Sequence, residues 1–406
     1  MTALVRPPDA AALLERPGVA RVLACLDRDG EEARLVGGAV RNHLMGLPVA
    51  DIDICTTALP DVVIDRARAA GLNAVPTGYD HGTVTLIADG VPHEVTTLRQ
   101  DVDTDGRHAV VAFGRDFRAD ALRRDFTINA LSMGRDGAIH DYVGGRDDIA
   151  RRAIRFIGDA DSRIREDYLR ILRFFRFSAA YGDGGLDADG LNAVVRNRQG
   201  LAGLSRERVR QEMMKLIVAP RASQVLAMMD VSAILADVLG ARGDVPAFAT
   251  LVEQEARAGL PPEATRRLAA LAVRSAIDVA RLRDLLRLTN REEARLLAML
   301  PPLKAGLPEA EMKEALYRRG EVAYVDALLL TASVARCRDD LSAALGLPQR
   351  WSPPRFEITG ADVMARGVPR GPAVGQVLAE TEARWIAAGM PEGRVEQEAL
   401  LAIPAG

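Results

Sequence analysis

Lysine is nearly missing from this 406-residue chain: of 53 basic residues only Lys215, Lys304 and Lys313 are not arginine. None of the three follows a GxxxxG segment, which excludes a P-loop kinase or ATPase. Cysteine is almost as scarce. Cys25, Cys55 and Cys337 lie far apart without CxxC spacing, so neither a disulfide framework nor a zinc knuckle is expected. Each reads as a small core residue. The five histidines all precede residue 150, which leaves the last two-thirds of the chain without a histidine-based metal site. Long apolar runs are missing too. No stretch reaches the 18 residues of a membrane span. The start, MTALVRPPDAAALLERPGVA, carries acids and prolines where a signal peptide needs unbroken apolar sequence, so a cytoplasmic location is expected.

What is present is ordinary for a globular protein: 48% hydrophobic residues, 27% charged residues and a net charge of −3. The length predicts two to four structural units. The charge is unevenly spread, with 14 Arg and Lys against 9 Asp and Glu in residues 151–215. That excess suits a solvated surface or a phosphate-binding face, and only further chemistry can decide between them.

Residues 1–32 read as a helical lead-in. The runs ARLVGG, ADIDICTT, HGTVTLIAD and HEVTTLR then read as strands, with short helices over 39–46 and 61–70. Residues 100–116 are polar, contain glycine and lack periodicity, which predicts a mobile loop. Strand signals nearly vanish after about 150. Helices are predicted over 162–180, over 205–218 behind a Ser205 cap, and over 290–300 behind Asn290 and Glu293. The fold class is therefore α+β. A small mixed-sheet head (1–150) precedes an all-α neck (151–218) and an all-α body and tail (219–406).

Three constellations carry chemistry. In RLVGGAVRNHLMGLPVADIDIC, Asp51 and Asp53 are two apart in a strand and project from one face, with Ile52 and Ile54 on the other. Parallel carboxylates repel unless a cation lies between them, and Mg2+ prefers such oxygens together with substrate phosphates. Taken alone, the pair could equally be two solvated carboxylates at a strand end. Gly37 and Gly38, just upstream, allow the backbone close to a phosphate at a helix start, and Arg41 is one turn into that helix. In ALRRDFTINALSM, Arg123, Arg124 and Asp125 read as the start of an apolar helix. Beside the first motif, Arg124 becomes a phosphate or sugar contact.

The third constellation is REDYLRILRFFRF. Asp167 and Arg170, three apart, are helical neighbours, and the commonest role of such a pair is an internal salt bridge. Alternatively, the carboxylate accepts from an exocyclic amino group while the guanidinium donates to the adjacent ring acceptor. Cytosine and adenine share that edge, whereas uracil and guanine do not. Arg173 and Arg176 continue the row but rotate about 60° per step, which leaves each to approach phosphate or to stabilise the pair. Phe174, Phe175 and Phe177 are expected in the core.

GGAVR followed by DID, RRDFTINAL, and EDYLRILRFFRF, in that order, resemble class II CCA tRNA nucleotidyltransferases and the related bacterial poly(A) polymerases. Both belong to the DNA polymerase β superfamily. The resemblance implies that Asp51 and Asp53 bind Mg2+ and that Gly38 and Arg41 contact the nucleotide. It carries Arg124, Asp167, Arg170, Arg173 and Arg176 into the same pocket. Glu94 falls where the family places a possible third catalytic carboxylate. Asn42 departs from the family pattern, which has aspartate after GGxVR. The implied substrates are ATP, CTP and a tRNA 3′ end, with no obligate protein partner. HGTVTLIADG and DVDTDGRHAVV look like CCA-adding enzymes. A poly(A) polymerase, an A-adding enzyme and a catalytically idle RNA-binding protein remain the alternatives.

Overall fold

The computed structural model describes residues 11–104, 109–303 and 306–402. Contacts divide the chain into two compact units, Met1–Val238 and Leu239–Gly406. All strands among the described residues lie in the first. They are β1 (Ala33–Val36), β2 (Asp53–Thr56), β3 (Asn73–Gly78), β4 (Thr83–Ala88), β5 (Val91–Thr97), β6 (Arg99–Thr104), β7 (Ala109–Phe113), β8 (Ser132–Met133) and β9 (Ile139–His140).

Seven strands form a mixed sheet in the order β3-β4-β5-β2-β1-β8-β9. Its parallel pairing is β2 with β5, which sets Asp53 opposite Glu94 and Ile54 opposite Val95. The apolar alternation holds it down: Leu35, Ile54, Val84, Leu86 and Val95 are buried. The helices Val19–Leu26 and Pro60–Ala69 pack against β1, β3 and β4. The first of these stands within the expected lead-in, of which residues 1–10 lie outside the described part.

The structure revises the sequence reading at several places. Most of residues 100–116, expected as an aperiodic loop, belongs to the antiparallel hairpin β6–β7, and 105–108 lie outside the described residues. β2 starts at Asp53, so Asp51 stands just before the strand rather than in it. Asp51 and Asp53 nevertheless stay exposed while Ile52 and Ile54 are buried. Arg123 and Arg124 end a helix, Phe117–Leu122, rather than start one. Asn129 and Ser132 follow in a 3-10 turn and in β8. Asn290 opens its helix as the first turn, but the cap is Thr289, whose capping box closes with Glu292.

The neck differs most. The expected helix over 162–180 is two helices, Ala160–Glu166 and Leu169–Tyr181, broken at Asp167, whose backbone is extended. The second helix packs against Arg206–Ile217, which has its Ser205 cap, and against Ala222–Val231. The latter, assigned to the body by sequence, thus shares a core with the neck, and the compact unit runs on to Val238. Phe126, Phe156, Phe174 and Phe177 form one aromatic cluster, with centroid separations of 4.9 to 6.4 Å, that packs the head against the neck.

The regular elements of the second unit, among its described residues, are all helices. It buries Phe248, Tyr324 and Trp385 completely. A charged network is buried with them. Arg266 and Arg267 pair with Glu255 at 2.8 and 2.7 Å, and Asp326 bridges Arg266 and Arg295 at 3.1 and 2.7 Å.

Candidate active site

The turn after β1 is made by Gly37, at φ +63° and ψ −120°, a conformation that L side chains avoid. A Cβ there would also stand 3.0 Å from Nη1 of Arg124, which would have to give way. Gly38 opens the helix Gly38–Leu44. Across the cleft, Asp53 leads β2 with Glu94 in register on β5. Asp53 faces solvent, yet partial desolvation, then Glu94 and then Asp51, push its carboxyl above the usual carboxylate range; Arg124 opposes them. Surplus negative charge gathered at one strand end suits a divalent cation. Among the described residues no three His, Cys, Asp or Glu side chains form a closed metal cluster. An open site of this kind completes its coordination with water and substrate phosphate, as Mg2+ prefers.

One wall is built on Asp120, buried at the end of the helix Phe117–Leu122. It accepts from Arg123 and, at 3.0 and 3.1 Å, from Arg124. Arg124 also donates to the Asn129 carbonyl and leans on the Cys55 sulfur, 3.7 Å away. Burial pushes the Cys55 thiol up to about 12, so it is an inert neighbour.

Arg41 is buried and held by neutral acceptors: Asn129 Oδ1 at 2.5 Å, the Tyr181 hydroxyl at 2.8 Å, and Asn42 Oδ1 at 2.8 and 3.0 Å. Its guanidinium carbon lies 4.0 Å from the Tyr181 ring centroid. Burial, with no ion pair to offset it, lowers its pKa. Asn42 works with both ends of its amide, because Nδ2 donates to the Pro48 carbonyl at 2.9 Å. An aspartate could not make that second bond.

The other wall comes from the neck. Asp167, in the break between helices, accepts from the Leu169 N–H with Oδ1 and from Arg208 with Oδ2, at 3.1 and 2.7 Å. Arg170 does not pair with it. Its guanidinium donates to Glu166 at 2.6 Å and to the Arg163 carbonyl at 2.8 Å. Arg173 pairs with Asp125 at 2.6 Å, and Arg176 with Glu212 at 2.5 Å. Burial alone would raise the Asp125 carboxyl, but Arg173 and Asn129 outweigh it and hold the group below its usual range.

These walls enclose a cleft of about 510 Å³. It is lined by Gly37, Gly38, Arg41, Asp53, Arg124, Asp167, Arg170 and Arg173 among the residues expected from sequence. Asp51, Glu94 and Arg176 are not on its surface. Arg176 is turned to Glu212 and to the Phe177 ring, 4.2 Å away, and so buttresses the wall from behind. Phe174 and Phe175 are core residues, while Phe177, also buried, reaches the lining. Sequence reasoning missed Arg123, Asp125 and Asn129 as lining, and Glu166, Tyr181 and Arg208 as anchors. Every cation on the cleft surface is an arginine.

A glycine turn facing paired carboxylates across a mixed sheet, with a helical wall of arginines opposite, is the architecture of a nucleotidyltransferase. Comparison with known proteins agrees. Residues 33–155 match the model of the poly A polymerase head domain, and residues 186–239 match that of a probable RNA and SrmB-binding site of polymerase A. The CCA-adding enzyme of Geobacillus kaustophilus is 34% identical over 398 residues, covering 94% of each chain. The human mitochondrial CCA tRNA nucleotidyltransferase 1 is also 34% identical, over 92% of this chain and 86% of its own. The crystal structure of the Bacillus stearothermophilus CCA-adding enzyme in complex with CTP superposes with a TM-score of 0.76 at 30% identity, covering 98% of this chain and 97% of that one. The chain belongs to the family of class II CCA tRNA nucleotidyltransferases and poly(A) polymerases.

Proposed function

We propose that the protein adds CMP, CMP and AMP to the 3′ end of tRNA, using CTP and ATP and releasing pyrophosphate. The observation that carries this reading is the placement of Asp167 and Arg170 on one wall of the cleft that contains Asp53, each anchored by a different partner. An anchored carboxylate and guanidinium match the amino donor and adjacent acceptor that cytosine and adenine share, so the protein can select both without a template strand. The relatives support CTP as a substrate, because the Bacillus stearothermophilus structure is a complex with CTP.

In this reading Asp51 and Asp53, with Glu94 beside them, hold Mg2+, which supplies charge neutralisation at the reacting phosphate. Gly37 and Gly38 leave room for the triphosphate, Arg123 and Arg124 face it, and Asp167 with Arg170 orients the base. Residues 1–150 are the catalytic head, 151–218 the base-reading neck, and 219–406 the part that engages RNA. The protein works in the cytoplasm.

The test uses tRNA ending before CCA, incubated with each nucleoside triphosphate singly and in combination. Two cytidylates from CTP alone, and a single terminal adenylate only when ATP is added as well, are expected. A long adenylate tract from ATP alone would replace this reading with poly(A) synthesis. No incorporation by folded protein with Mg2+ would leave an idle RNA-binding relative.

A further inference from the structure

Sequence spacing places Asp167 and Arg170 as i,i+3 neighbours, a pair that would neutralise itself. The structure keeps them apart. Glu166 takes Arg170 at 2.6 Å, and Arg208, brought from the helix Arg206–Ile217, takes Asp167 at 2.7 Å. Among the described residues no ion pair joins Asp167 to Arg170.

The Arg208–Asp167 pair is half-open to solvent, with side-chain exposures of 48% and 32%. An exposed pair of this kind adds at most about 1 kcal/mol to folding. Its weight is geometric instead. A carboxylate offers about four lone-pair sites. The Leu169 N–H and Arg208 occupy one on each oxygen, which fixes the plane of the group and leaves a site on each oxygen for a ligand. The backbone break at Asp167 supports the same arrangement, because its extended φ and ψ take the side chain off the helical face that Arg170 occupies.

We propose that Arg208 is a positioning residue for nucleotide choice. It holds the Asp167 carboxylate oriented and separate from Arg170, so that both remain available to one base. The proposal rests on the assignment of Asp167 and Arg170 as the base reader. Without Arg208, Asp167 is free to turn to Arg170, and the two consume the groups that would read cytosine and adenine.

The experiment measures kcat/KM for CTP and for UTP on tRNA lacking CCA, in wild type and in Arg208→Ala, Arg208→Gln, Arg208→Lys, Asp167→Ala and the Asp167→Ala/Arg208→Ala double variant. Thermal melting checks the fold of each. Arg208→Ala is expected to lower the CTP-over-UTP ratio about tenfold, mainly through a higher KM for CTP. Melting should be nearly unchanged, Arg208→Lys should recover part of the ratio, and the second substitution should add nothing to Asp167→Ala. Arg208→Gln, which keeps volume and a donor, reads the same effect if the alanine variant unfolds. A normal ratio in folded Arg208→Ala or Arg208→Gln, with a lowered one in Asp167→Ala, overturns the role of Arg208 and leaves the base reader intact. A normal ratio in both Arg208→Ala and Asp167→Ala removes the base reader and this proposal with it. Additive losses in the double variant, or a raised KM for tRNA with the ratio unchanged, place Arg208 on the RNA instead and also overturn it.

Discussion

Asp53 holds its negative charge at a cost. Desolvation and the neighbouring Glu94 and Asp51 raise its pKa, so the folded protein binds that proton more tightly than the unfolded chain does. The sign follows directly: this group lowers stability as pH rises from the ordinary carboxylate range through its raised value. Asp53→Asn removes the repulsion at neutral pH. In chelator it should melt above wild type, and acidification should no longer bring the stability gain that wild type shows from this group. With Mg2+ and substrates it should lose activity by about a hundredfold or more, because an amide cannot replace the anionic ligand. A bound cation offsets the repulsion, so the stability that wild type gains on acidification in chelator should shrink when Mg2+ is added. An Asp53→Asn protein melting at or below wild type in chelator would show that the crowded carboxylates are not under electrostatic strain.

At the scale of elements, the break between Ala160–Glu166 and Leu169–Tyr181 is flanked by Tyr168, whose ring lies against Gly200. A Cβ at Gly200 would stand 1.9 Å from Tyr168 Cδ1 and 2.3 Å from Cγ, near the root of the ring where it cannot swing aside. Gly200→Ala should therefore cost about 1–3 kcal/mol by overpacking. It should also raise KM for both nucleotides more than it lowers kcat, since Asp167 shifts with its neighbour. Unchanged melting and KM would show that the break does not depend on this contact.

The break also marks where sequence reading stopped. The strand around Asp53 was legible because its acids and isoleucines alternate, and the glycine turn because adjacent glycines have few other uses. SRIREDYLRILRFFRF is periodic throughout, and its one local interruption, Asp167 accepting from the Leu169 N–H, leaves that period unbroken. The tertiary contact made at the interruption, Arg208 on Asp167, comes from 41 residues further on. For the same reason Glu166 was missed as the partner of Arg170: Glu166 and Asp167 are both within helical reach, and only tertiary structure decides. β8 and β9 are two residues each, too short for any period to show. The hairpin β6–β7 was hidden by its polar, glycine-containing sequence, because cross-strand hydrogen bonds do not require apolar side chains.

For the molecule as a whole, two compact units with separate cores predict two calorimetric transitions. Only the first unit contains the cleft, so CTP with Mg2+ at a hundred times its Kd should stabilise one transition by about 2.7 kcal/mol and leave the other in place. Asp326→Asn should act on the other alone. It strips buried Arg266 and half-buried Arg295 of their shared acceptor charge while each keeps a second carboxylate, a loss of about 3 kcal/mol. A single transition moved by both would mean that the units unfold as one. The arginine-only lining of the cleft has a practical corollary for reagents. Guanidinium stays protonated far into the alkaline range, and among the described residues no lysine stands on the cleft surface. Amine-directed dyes or surface coupling thus leave nucleotide binding chemically untouched. An arginine-selective dicarbonyl should block it, and bound CTP should shield the protein from that reagent.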